Sequence, residues 1–196
     1  METVLLGALG LAGAAGLNAW LPMLIVAIAG RSGAIDLSDP YSDLTTDPAM
    51  VILIAGFVTD FVGDKVPAVD HVLHAIGNVV HPAAGGIVAA SHAGTDVDPT
   101  ILLIAGGITS GGIHVGRESV RPFGTVLTGG IANPFMSLGE DISSLSIAIL
   151  ALAAPLIAAL LVIGLIASIV IGLIYAKRWR DRRKAAGLPP EPREPT

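Results

Sequence analysis

The stretch ISSLSIAILALAAPLIAALLVIGLIASIVIGLIYA, residues 142–176, contains no charged side chain. About 20 apolar residues in a helix cross a bilayer core of about 30 Å, so this run is longer than any soluble core requires. Hydrocarbon is its natural solvent. Six basic residues follow at once, Lys177, Arg178, Arg180, Arg182, Arg183 and Lys184. A cationic cluster directly after an apolar helix reads as an anchor against anionic lipid on the cytoplasmic side. With no interleaved aromatics and no fold motif beside the cluster, nucleic acid is not an expected partner.

A second uncharged run extends from Val4 to Ala29. The 196 residues are 53% hydrophobic and 14% charged, and the mean hydropathy is +0.75. Soluble domains carry about a quarter of their residues charged. The expected fold class is therefore all-α and polytopic, a membrane protein of about six transmembrane helices. The apolar segments read as 3–29, 49–63, 69–91, 99–115, 123–137 and 145–176. They form a single transmembrane domain over 1–176, with a basic and then proline-rich tail over 177–196. Asp47-Pro48 and Asp98-Pro99 each place a capping carboxylate before a proline suited to a first helical turn. Asn133-Pro134 has the same form but falls inside an apolar stretch.

Charge sets the expected orientation. With the tail inside, the segments holding Lys65 and Arg117 to Arg121 also fall inside. Asp36, Asp39, Asp43, Asp47, Asp96 and Asp98 fall outside, with Arg31 the one basic residue there. Both termini are then cytoplasmic, and the expected home is the bacterial inner membrane. The early charge Glu2 does not suit the positive start of a signal peptide. The chain has no cysteine, which removes disulfides and thiolate metal sites.

Two halves of three spans, 1–92 and 99–176, would form a 3+3 inverted repeat with broken helices. Gly16 to Pro22 and Gly116 to Pro122 share glycine and proline at one spacing, and Gly63-Asp64 parallels Gly139-Glu140. Secondary transporters recurrently use this plan, with the binding site at the interface of the halves. The motifs Gly-Leu-Asn-Ala-Trp-Leu-Pro at 16–22, Asp-Lys-Val-Pro-Ala-Val-Asp at 64–70, His-Pro-Ala-Ala-Gly at 81–85 and Thr-Gly-Gly-Ile-Ala-Asn-Pro-Phe-Met-Ser-Leu-Gly-Glu-Asp at 128–141 resemble the domain-of-unknown-function 4126 family of bacterial membrane proteins. The resemblance implies a multi-span membrane fold and supplies no activity.

Four sets of residues carry chemistry. Asp70, His71, His74, Asn78 and His81 share one face of the third span. Carboxylate and imidazoles there suit proton relay or metal coordination, or they are solvated at the boundary and bridge neighbouring helices. Asp60, Asp64, Glu140 and Asp141 form a carboxylate set able to share a proton or bind a cation. The alternative for Asp64, Glu140 and Asp141 is a wetted loop in which Asp64 pairs with Lys65 or an arginine. Arg117 and Arg121, four apart and near His114, make either a fork for an anion or lipid phosphate, or an ordinary positive flank. Thr128 to Pro134, with Asn133, makes either a helix broken inside the membrane or a kinked close contact. These sets point to a small transporter or channel-like protein, cation- or proton-coupled, taking a small ion or solute. The rival is a non-transporting accessory or assembly subunit. No Ser-His-Asp order, His-Glu-x-x-His element or phosphate loop is present, so neither an enzyme nor a cofactor is expected. A homodimer is compatible with six short spans.

Overall fold

The computed structural model describes the backbone of residues 2–63, 67–91, 97–128 and 133–185; side chains are described for 2–63, 76–91, 97–121, 135–182 and 185. Seven α-helices occupy the described residues: α1 (Glu2–Leu17), α2 (Trp20–Arg31), α3 (Asp47–Gly63), α4 (Pro67–Ser91), α5 (Pro99–Thr128), α6 (Asn133–Ala153) and α7 (Pro155–Ala185). A short 3₁₀ turn at Tyr41–Thr45 lies between α2 and α3. No strand occurs among the described residues. The proline-rich end, 186–196, lies outside them.

Exposure is inverted relative to a soluble protein. Val79, Ile108 and Phe135 are each more than 70% exposed, and only 17% of the apolar window of α7 is buried. Apolar surface on this scale is stable in lipid and a liability in water. Among the described residues, three helical segments, Pro99–Arg121, Phe135–Ala153 and Pro155–Arg182, are long and apolar enough to cross a membrane. The protein is an all-α polytopic membrane protein.

Helix α1 is the hub. It packs against α4, α5, α6 and α7, and every residue from Gly10 to Ala19 is buried. A helix enclosed on all sides needs small residues, because there is no hydrophobic drive between helices in lipid and contact energy comes from close approach. Gly13 shows the constraint: a Cβ there would overlap the side chain of Val162 on α7. The most extensive helix pair, α4 with α5, uses the same device at Gly85, whose Cβ would overlap Ser110.

Several element boundaries differ from those read in the sequence. The first apolar run is two helices, parted at Asn18 and Ala19. Helix α5 continues to Thr128, and α6 runs through 138–144, which the sequence reading left as a gap. The interruption comes instead at Ala154, where Pro155 occupies the first position of α7. Hydropathy missed this because Arg117, Glu118, Arg121, Glu140 and Asp141 punctuate it, and those charges sit within helices. The two capping pairs also divide. Asp98 Oδ1 accepts from the Thr100 amide at 2.7 Å, as expected. Asp47 instead pairs with Arg31.

Candidate functional site

The site begins with a break in an apolar run. Pro22 has no amide hydrogen, so the carbonyl of Asn18 loses its helical partner. The Asn18 side chain supplies the alternative: Oδ1 accepts from the amides of Trp20 at 2.9 Å and Leu21 at 3.0 Å, which caps the start of α2. Side chains from other helices reach the carbonyls at the end of α1, of which that of Ala14 still accepts the Asn18 amide at 3.1 Å. Ser144 Oγ on α6 lies 2.9 Å from the Ala14 oxygen and 3.4 Å from that of Asn18. His81 Nδ1 on α4 lies 2.6 Å from the Ala15 oxygen. Inside a bilayer, backbone groups released from a helix need protein partners of this kind.

The remaining half of the Asn18 amide reaches farther. Its Nδ2 donates to Asp60 Oδ2 on α3 at 3.1 Å and to Asp141 Oδ1 on α6 at 2.9 Å. Asn18 is 1% exposed. One buried amide therefore clasps two carboxylates brought from distant parts of the chain, and each takes one of its two hydrogens.

A second polar file runs beside this junction. The rings of His81 and His114 stack with centroids 4.0 Å apart and planes 19° from parallel, in room left by Gly77, where a Cβ would press on the His114 ring. A carbonyl can only accept, so His81 carries its proton on Nδ1. An arginine can only donate, so His114 Nδ1, 3.3 Å from Arg117 Nη2, is the bare nitrogen. Arg117 also pairs with Glu140 through Nη1 and lies 3.8 Å from Glu118. Arg121 reaches Glu118 at 3.7 Å and Glu140 at 4.0 Å.

Two voids flank the junction. A half-enclosed cavity of about 220 Å³ lies between α2, α3 and α4, with Ala19, Trp20, Thr59, Asp60, Gly77 and His81 in its lining. A wider groove of about 590 Å³ runs between α6 and α7, and Leu17, Arg117 and Glu140 line it. Leu17 thus faces one void and Ala19 the other, with the Asn18 clasp between them. Among the described residues, no group of three His, Asp or Glu side chains is placed to hold a metal ion.

The family model described as Domain of unknown function (DUF4126) matches residues 5–174. The chain belongs to this family. No curated protein and no solved structure matches it.

In this DUF4126 chain the sequence-read residues fall into three groups. Asp60, His81, Arg117, Glu140 and Asp141 converge around the α1–α2 break. Asn78, three residues before His81, is on an exposed part of α4. The side chains of Asp64, Asp70, His71, His74 and Asn133 lie outside the described residues; Asn133 is the first residue of α6. The wetted-loop alternative for Glu140 and Asp141 gives way, because both are half-buried within a continuous helix. The arginine fork is occupied by Glu140 and Glu118 from the chain itself. Asn18, Trp20 and Ser144 were not singled out by sequence. For Asn18 the signal existed: a lone amide four residues before a proline, inside an uncharged run, marks an unpaired carbonyl and a cap together.

Proposed function

We propose that this DUF4126 protein is a small cation- or proton-coupled transporter of the bacterial inner membrane, with six spans and both termini in the cytoplasm. In this reading α1 and α2 form one interrupted span, and the spans divide into inverted halves of three. Carrying the proposal is the position of Asn18, in a helix break between two voids, where it holds one carboxylate from each half. Broken helices at the interface of two halves are where secondary transporters place their sites. Two carboxylates sharing one amide suit the exchange of a proton or monovalent cation, since their charges are coupled. When a cation or proton takes the place of the amide on Asp60, the clasp loosens and the two halves are freed to move.

Proteoliposomes containing the purified protein test this. Flux of protons or cations down an imposed gradient is expected for wild type and lost in Asp60→Asn and in Asp141→Asn. Wild-type vesicles that stay tight to protons, sodium, potassium and small amines alike would overturn it. The satisfied bonding at the junction favours one rival, an accessory subunit whose polar groups only hold helices together. That rival predicts tight vesicles and unchanged cellular function in both variants.

A further inference from the structure

The 220 Å³ cavity has a lopsided lining. Thr59 and Asp60, consecutive on α3, supply a hydroxyl and a carboxylate at one side. Ala19, Trp20, Gly56, Ile76, Gly77 and Val80 make the rest apolar apart from His81, whose Nδ1 is engaged by the Ala15 carbonyl. Gly56 lets the Trp20 indole lie against α3, since a Cβ there would overlap the ring.

This chemistry discriminates between ligands. A hard metal cation takes about six to eight oxygens in the case of calcium, and the cavity offers far fewer. An anion would meet the Asp60 carboxylate. Water fills a space only where it finds two to four polar partners per molecule, and most of this wall has none. A ligand with one positive end and an apolar body matches both sides at once, through charge on Asp60 and cation–π attraction to an indole. The volume equals roughly seven waters at about 30 Å³ each, so only a compact charged group fits inside, and any longer body leaves by the open side.

We propose that the cavity between α2, α3 and α4 is a binding site for a small alkylammonium ion, its charge on Asp60 and its alkyl groups against Trp20. As a substrate assignment this rests on the transport reading; as a binding site it stands on the cavity alone. Because Asp60 also accepts from Asn18, an ammonium ion bound there competes with the clasp and couples occupancy to its release. The ammonium has two sources, a free amine or the headgroup of a choline or ethanolamine lipid.

The chain has two tryptophans, Trp20 and Trp179, so Trp179→Phe leaves Trp20 as a single fluorescent reporter. Tetramethylammonium titrated into this protein in a sugar-headgroup detergent is expected to shift Trp20 emission saturably, with sodium and potassium silent. Radiolabelled tetramethylammonium should bind Trp20→Leu about threefold to thirtyfold more weakly, the range of a cation–π contact. Asp60→Asn should weaken binding at least as much. Ile76→Trp fills the cavity from its half-exposed wall and leaves Asn18, Asp60 and Asp141 unsubstituted, and should abolish binding while the protein still elutes as a single species. Nanodiscs of phosphatidylcholine or of phosphatidylethanolamine that compete with tetramethylammonium assign the site to a lipid headgroup, whereas competition by neither assigns it to a free amine. No saturable wild-type binding at millimolar concentration, or full binding by Ile76→Trp, overturns the site. Binding without flux removes the transport reading and keeps the site; proton or sodium flux without ammonium binding does the reverse.

Discussion

Two regions of this chain interrupt its helices with the same kinds of side chain and handle them in opposite ways. In the connection between α2 and α3, the hydroxyls bond locally. Ser32 donates to the Ala29 carbonyl, Ser42 to Asp39, Thr45 to the Ser42 carbonyl and Thr46 to the Asp43 carbonyl, each three residues away. At the α1–α2 junction the partners are remote: Asp60, His81, Asp141 and Ser144 approach residues 14–18 from three other helices. The first region repairs its own backbone beside water. The second depends on the whole bundle, because hydrocarbon offers no partner if a helix withdraws. The connection is thus tolerant and the junction is cooperative.

That contrast can be broken at graded cost. Replacing Arg117 with Gln leaves Glu140, half-buried, with the Arg121 guanidinium 4.0 Å away; losing one partner of a fully buried pair costs about 3–5 kcal/mol, and about 3 kcal/mol is expected here. Thermal unfolding in detergent should show this loss, with Arg117→Gln/Glu140→Gln regaining more than half of it. A double variant no better than the single would mean that the pair is not the unit. Asn18→Ala removes a cap, worth about 1 kcal/mol, and bonds to two carboxylates. About 3 kcal/mol is expected in total, and a loss below 1 kcal/mol would contradict the clasp. Ser144→Ala should cost about 1 kcal/mol, measured the same way.

The loop side should respond far less. Arg31 and Asp47 are 51% and 81% exposed, so Arg31→Gln should change stability by under about 0.5 kcal/mol, and added salt should erase the difference. Asp98 is distinguished by pH dependence and not by size: the Thr100 amide holds its carboxyl below its usual value of 3.8. A lowered folded-state value means that the cap stabilises above that pH and fades as acid protonates the folded form. Asp98→Ala should therefore melt slightly lower at neutral pH, and the difference should close as pH falls below the ordinary carboxylate range, while Asp98→Asn keeps its cap throughout.

This division also explains what the sequence could tell. Features carried by nearest neighbours were legible: the uncharged runs, Asp98-Pro99 as a helix start, the small residues of α1. Asp60 and His81 stood out as polar groups within apolar segments, whereas Arg117 read equally as a positive flank and Glu140 and Asp141 as a wetted loop. Their grouping was not legible, since Asn18 and Asp141 are separated by 123 positions and nothing local links them. The charges of α5 and α6 misled for a physical reason. Hydropathy assumes that a charge marks water, but Arg117 and Glu140 neutralise each other within the bundle. A charge can belong to a span when its counter-charge belongs to the next.

Helix α7 runs for 31 residues, a rod of roughly 46 Å at about 1.5 Å per residue, against a hydrocarbon slab of about 30 Å. Its uncharged part, from Pro155 to Ala176, covers only about 33 Å at about 1.5 Å per residue, so the turns from Lys177 onward are the part that outreaches the hydrocarbon. Since Val162 of the same rod presses on Gly13 of the central helix, a thinner or thicker bilayer would tip the rod and shift that contact, making the packing of α1 a gauge of membrane thickness.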